Sequence, residues 1–178
     1  TFPHELPELA GLCQTRRPEI FIELLAARDC VLEENTMLKM LVIGATSTIA
    51  HETLKHFAAD GAAFFLVGRE PDRLDIIRQD LLARGAESID TCVMDMNDFD
   101  RHQEILDSAL DKLGTLDALY IAHGILGDQE KAESDVAVMM DEFNTNFMST
   151  AAFLTLAANI FEAQKRGSIA VISSVAGD

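Results

Sequence analysis

The chain has 178 residues, enough for one domain with a substantial core, and its 48% apolar and 25% charged content is that of an ordinary globular protein. A net charge of −16 argues against nucleic acid and against an anionic membrane face, since both need basic surface. Cys13, Cys30 and Cys92 are widely spaced, with no Cys-x-x-Cys and no His/Cys cluster, so neither a disulfide framework nor a metal site is expected.

No apolar run approaches the roughly 18 residues of a membrane span. Free thiols and the lack of a leader pattern at the start point to a reducing, cytoplasmic compartment.

Residues 1–36 hold Pro3, Pro7 and Pro18, three of the four prolines. A short helix is expected over 6–13 and a better one over 20–32, where Ile20, Leu24, Ala27 and Val31 share a face. No chemical motif lies here. The segment reads as an extension, as the tail of a preceding domain, or as an artefact of gene calling.

From residue 37 strands and helices alternate. Leu38–Gly44 is the first strand, and its apolar burst ends abruptly at Gly44. Ala45-Thr46-Ser47-Thr48 makes a small-residue turn, followed by a helix over about 47–60 that buries Ala50, Leu54, Phe57 and Ala58. Gly61 ends that helix. Ala63–Gly68 is an unbroken apolar run, as a strand buried on both faces requires. Pro71 opens the next helix, with Leu74, Ile77 and Leu81 inward.

The third strand is expected over 88–95 and its helix over 98–113, with His102, Leu106, Ala109, Leu110 and Leu113 on one stripe. The fourth strand follows over 116–122, and then a loop over 123–131. A helical stretch without Gly or Pro runs from about 134 to 165; its expected buried stripe is Val136, Met139, Met140, Phe143 and Phe147. Ser168–Ser174 is the fifth strand. Five strands alternating with four helices imply a doubly wound parallel α/β sheet with right-handed crossovers. Ligands of such folds sit at the carboxyl ends of the strands.

Those ends carry the candidate residues. The turn after Gly44 aims backbone N–H groups and a helix N-terminus at one point, which suits a phosphate or merely caps a helix. Arg69 directly follows the second strand. An arginine there pairs with a 2′-phosphate on an adenosine ribose, or is a solvated surface residue. Asp95 and Met96 end the third strand, where they suit an adenine or a turn. His123, between Ala122 and Gly124, suits proton transfer or a structural hydrogen bond, with the structural role expected. Asn146 lies mid-helix among apolar residues, where it is expected to be buried and an asparagine then needs a specific partner, either a backbone carbonyl or a water. Ser173 and Ser174 end the fifth strand and suit a substrate carbonyl or a turn.

Together, over about 38–178, these segments resemble the short-chain dehydrogenase/reductase family of the classical type. GATSTIA is similar to its glycine-rich turn, VGRE to the NADP-type strand tip, and MDMND to its adenine-contacting segment. LGTLDALYIAHG resembles the segment ending in Asn-Ala-Gly, NFMSTAAFL the helix bearing its asparagine, and GSIAVISSVAG the strand bearing its serine.

The resemblance implies a Rossmann fold, incomplete at the C-terminal side, and hydride transfer between NADP(H), preferred over NAD(H), and a small carbonyl or alcohol substrate. It carries Gly44, Thr46, Ser47, Thr48, Ile49, Arg69, Asp95, Met96, Ala122, His123 and Gly124 over as cofactor contacts. Ser174 becomes the residue that polarises the substrate oxygen, and Asn146 the support of a proton-relay water.

Departures accompany it. Thr48 and Ala50 stand where the turn's later glycines fall, and His123 replaces an asparagine. The family's Tyr-x-x-x-Lys lies roughly a dozen residues past the serine, beyond Asp178, and Tyr120 cannot fill that role. The resemblance therefore implies a C-terminally truncated domain over 37–178, inactive by itself. The alternative is a non-catalytic NADP-sensing module on the same fold. The 134–165 helix commonly forms a subunit interface in the family, which implies a homo-oligomer.

Overall fold

The computed structural model describes residues 37–173. The two helices expected within 1–36, Cys13, Cys30 and Ser174 lie outside the described residues.

Five parallel strands form one sheet in the order β3-β2-β1-β4-β5. They are β1 (Lys39–Ile43), β2 (Ala63–Gly68), β3 (Ser88–Val93), β4 (Ala118–Ile121) and β5 (Ser168–Val171). β1 lies at the centre and the order reverses beside it, so β1 and β4 flank the switch point. Registers are continuous: Ile43 pairs with Val67 on one side and Ile121 on the other. The central strands are apolar throughout, because helices cover both faces and no side-chain position meets water.

The helices follow their strands. The first is α1 (Thr48–Ala59), capped by Ser47, whose hydroxyl accepts from the Ala50 amide at 3.5 Å. It buries Ala50, Thr53, Leu54, Phe57 and Ala58. Pro71 occupies the first turn of α2 (Pro71–Ala83), which buries Leu74, Ile77 and Leu81. A 3₁₀ turn (Phe99–Arg101) leads into α3 (His102–Leu113). These elements bury the residues expected from the 3.6-residue spacing, except that Leu110 is only partly covered and Ile105 joins the stripe.

The C-terminal helical stretch departs from expectation. The loop after β4 contains a one-turn helix, α4 (Gln129–Ala132), capped by Asp128. The expected continuous helix is α5 (Val136–Phe143), a π-helical turn (Asn144–Met148) and α6 (Ser149–Gln164).

The expected buried stripe is also corrected. Val136, Met139, Met140, Phe143 and Phe147 are all exposed, Val136 by 71%. The face against the sheet is instead Thr145, Ser149, Phe153, Ala157 and Phe161. The stretch is apolar nearly all round, so periodicity defines two candidate faces, and packing chooses the one with small residues that lets the helix approach β4. The core runs from Leu41, Ile43 and Ile121 through Ile105, Leu106 and Ala109 to Phe153 and Phe161.

Candidate functional site

A cleft of about 280 Å³ opens where the carboxyl ends of β1, β2, β3 and β4 meet. Its floor is the turn after β1. Gly44 has φ +79°, and a Cβ there would lie 2.5–2.7 Å from the backbone and Cβ of His123. Only glycine lets the two strand ends touch. The amides of Gly44 and Ala45 both donate to the Val67 carbonyl at 2.9 Å, and that of Ser47 to the Gly44 carbonyl at 3.0 Å. The amides of Thr46, Thr48 and Ile49 make no hydrogen bond among the described residues. Three unengaged donors at the N-terminus of a 12-residue helix form a ready place for an anionic group.

Gly68 leaves room for Thr46, since an added Cβ there would meet the Thr46 Cγ2 at 3.1 Å. Next to Gly68, Arg69 reaches across to Asp95, Nη1 to Oδ2 at 3.9 Å, with both side chains about half exposed. Such a pair is loose and open to competition. Asp95 Oδ1 accepts from the Asn97 amide at 2.9 Å, so the carboxylate also shapes its own turn. Met96 is buried, and its carbonyl accepts from His102 Nε2 at 2.9 Å.

His123 forms the wall under Gly124. Its Nε2 lies 3.1 Å from the Thr145 carbonyl and 2.7 Å from Ser149 Oγ. A carbonyl can only accept, so the proton is assigned to Nε2, and the Ser149 hydroxyl donates to the same carbonyl at 2.7 Å. Nδ1 is then a buried acceptor without a partner among the described residues. Burial pushes the imidazole below the usual histidine range, against the opposing effect of the Thr145 carbonyl. The geometry is that of a neutral brace between β4 and the π turn.

Asn146 is exposed, contrary to the expectation of burial, yet it has a specific partner. Its Oδ1 accepts from the Ile125 amide at 2.8 Å and its Nδ2 donates to the Ile125 carbonyl at 3.0 Å. It thereby clasps the loop that walls the cleft. On the other side, Asn97 Nδ2 donates to Asp141 at 3.0 Å and to Thr145 at 2.9 Å, tying the β3 end to the same turn.

The cleft collects every expected cofactor residue except Ile49, whose side chain is 56% exposed and is not part of its lining. Asn146 stands behind the wall, and Ser174 lies outside the described residues. The cleft also includes Gly68, the end of β2, and adds Arg73, Ile125 and Thr145, which sequence reasoning missed. Arg73 had a legible signal: it sits one helical turn beyond Arg69, in a helix whose start Pro71 announces. Tyr120 is fully buried in β4 and donates to Thr53 Oγ1 at 3.3 Å, and burial raises its pKa. It has no access to the cleft.

The fold and this strand-end cleft define a doubly wound α/β domain with its site at the switch point. Residues 39–178 match the family model for short chain dehydrogenase. An uncharacterized oxidoreductase of Mycobacterium tuberculosis is 32% identical over 146 residues, which is 82% of this chain and 58% of that protein. Two solved structures share the fold at a TM-score of 0.70. NAD+-bound xylitol dehydrogenase is 21% identical, with 78% of this chain and 53% of that one covered. A metagenomic short-chain oxidoreductase in complex with NADP is 24% identical, with 79% and 63% covered. The chain belongs to the short-chain dehydrogenase family and is by family an oxidoreductase. It spans a little over half the length of the relatives it matches.

Proposed function

We propose that the domain holds the cofactor of a reductase that transfers hydride between NADP(H) and a small carbonyl or alcohol substrate. The observation that carries this reading is the convergence, in one cleft, of unengaged turn amides and the Arg69 guanidinium. Bound NADP(H) supplies or accepts the hydride. The amides of Thr46, Thr48 and Ile49 suit its pyrophosphate, and Arg69 suits a 2′-phosphate, for which it would leave its loose contact with Asp95.

The chain's other residues prepare the opposite wall. His123 and Asn146 hold the loop at Gly124 and Ile125 against the π turn, which keeps that side of the cleft open. In this reading Ser174, by its resemblance to the family's serine, polarises the substrate oxygen.

Titration with NADPH and NADH, followed by nucleotide fluorescence, tests the reading. NADPH should bind at least roughly tenfold tighter, the scale of one or two charge-assisted hydrogen bonds. Equal affinity overturns the phosphate preference, and no binding of either overturns the cofactor site.

A further inference from the structure

Tyr120 is a polar residue inside an apolar strand, and the cleft makes no use of it. It sits in β4 with Val42 of β1 beside it on one side and Ala170 of β5 on the other. Leu119 and Ile121 belong to the core on the α3 and α6 side, so Tyr120 points to the opposite face, where α1 packs. A fully buried phenol needs a partner. Burial pushes its pKa up, so the hydroxyl keeps its proton and serves as a donor.

The partner is Thr53, a buried residue of α1, which accepts from the phenol at 3.3 Å. Thr53 in turn donates to the Ile49 carbonyl at 2.8 Å. The chain of donors therefore runs from the sheet to the helix, through Tyr120 and Thr53 to Ile49. Ile49 lies in the first turn of α1, and its amide is one of the unengaged donors over the cleft.

Apolar contact alone fixes that turn poorly. Ala50, Leu54 and Phe57 hold α1 on the sheet, but hydrophobic packing is non-directional and tolerates small rotations about the helix axis. The clasp of the turn itself is long, since Ser47 Oγ receives the Ala50 amide at 3.5 Å. A threonine hydroxyl bonded to the carbonyl four residues back slightly destabilises and bends a helix when it acts by itself. Anchored to Tyr120, the same bond becomes directional, and it sets both the bend and the rotation of the first turn.

We infer that Tyr120 is a positioning residue: through Thr53 it aims the first-turn amides of α1 at the phosphates of a bound nucleotide, although it touches neither the cleft nor the ligand. This rests on the reading of the cleft as a dinucleotide site and adds to it a residue from inside the sheet.

The test uses Tyr120→Phe, which removes one oxygen and keeps the ring, together with Thr53→Val, Thr53→Ser and the double variant Tyr120→Phe/Thr53→Val. Each is titrated with NADH, against which adenosine 5′-diphosphate and adenosine compete. Tyr120→Phe and Thr53→Val should each weaken NADH and the diphosphate about fivefold, the scale of one hydrogen bond, and leave adenosine within about twofold. The double variant should lose no more than the larger single loss, because both substitutions cut the same chain. Thr53→Ser keeps the hydroxyl and should bind like the unaltered protein. In the nucleotide-free protein, the His51 amide closes the first turn on the Ser47 carbonyl at 2.9 Å; its exchange should quicken in Tyr120→Phe while the β4 amides stay protected.

Unchanged nucleotide affinity in Tyr120→Phe overturns the inference and leaves the cofactor reading standing. An equal loss for adenosine and the diphosphate assigns Tyr120 a purely structural role and overturns it as well. If Tyr120→Phe does not fold, the contrast between Thr53→Val and Thr53→Ser decides by the same criteria. If the unaltered protein binds neither NADH nor NADPH, the cofactor reading itself fails and the inference falls with it.

Discussion

Gly44 shows how one residue sets the site. Its φ of +79° and the 2.5 Å approach of an added Cβ to the His123 amide leave no room for a side chain. Gly44→Ala should cost at least about 1–2 kcal/mol from backbone strain alone, with the clash in addition. Urea unfolding measures that loss, and nucleotide affinity should fall with it as the strand ends separate. His102 and His123 carry a second residue-scale prediction. Each presents Nε2 to a backbone carbonyl and leaves Nδ1 buried without a partner among the described residues.

Burial is the main cause that lowers the pKa of both below the ordinary histidine value near 6.5. The unfolded chain therefore takes up protons first as pH falls, and stability is lost from about pH 6.5 downward to the folded values. Urea midpoints at pH 7.5 and 5.5 should differ accordingly, and replacing both histidines by asparagine should flatten the slope. A slope confined to pH below about 4 would instead assign acid sensitivity to Asp80, Asp128 and Glu52, whose pKa values are lowered by their basic neighbours.

At the scale of elements, the π turn at Asn144–Met148 is the junction of the site. It presents the Thr145 carbonyl to His123 and Ser149, the Thr145 hydroxyl to Asn97, and the Asn146 amide to Ile125. One extra residue in the turn shifts the phase of the helix between α5 and α6. Asn146→Ala removes both bonds to Ile125 from an exposed position, so the core stays intact. The expected cost is about 1 kcal/mol. The sharper readout is amide exchange: Ile125 should exchange faster while the α6 amides stay protected. Phe153, fully buried and stacked on His102 at 4.1 Å, anchors α6 to the core. Phe153→Ala should cost about 3–5 kcal/mol in urea unfolding.

For the whole molecule, the exposed face of α5 and the π turn is the outstanding surface. Val136, Met140, Phe143 and Phe147 lie on it, and the two phenylalanine rings pack together at 5.1 Å. Exposed apolar side chains grouped on one face are a common feature of interaction surfaces. We propose that it pairs copies of the chain. Sedimentation should then show concentration-dependent association, and Phe147→Glu should remove it without changing nucleotide affinity. Among the described residues, no helix is long and apolar enough to cross a membrane.

The amino-acid sequence by itself determined the alternation of five strands with covering helices, the glycine turn, and the placing of Arg69, Asp95 and Gly124 at strand ends. Those properties are local: an apolar run, a breaker and a capping residue act within a few positions of one another, so their spacing is legible. The faces of α1, α2 and α3 were legible too, because each is polar on one side.

Tertiary structure alone decided what local pattern leaves degenerate. A helix apolar on most sides offers no preferred face, so packing against the sheet chose Ser149 and Phe153 over Phe143 and Phe147. Asn146 looked buried because its neighbours are apolar, but its partner is 21 residues away at Ile125. The spacing of Arg73 one turn beyond Arg69 was legible, but only the fold placed the start of α2 beside the β1 turn. Each of these contacts joins residues far apart in the chain, and such proximity arises from closing the sheet and not from any one segment.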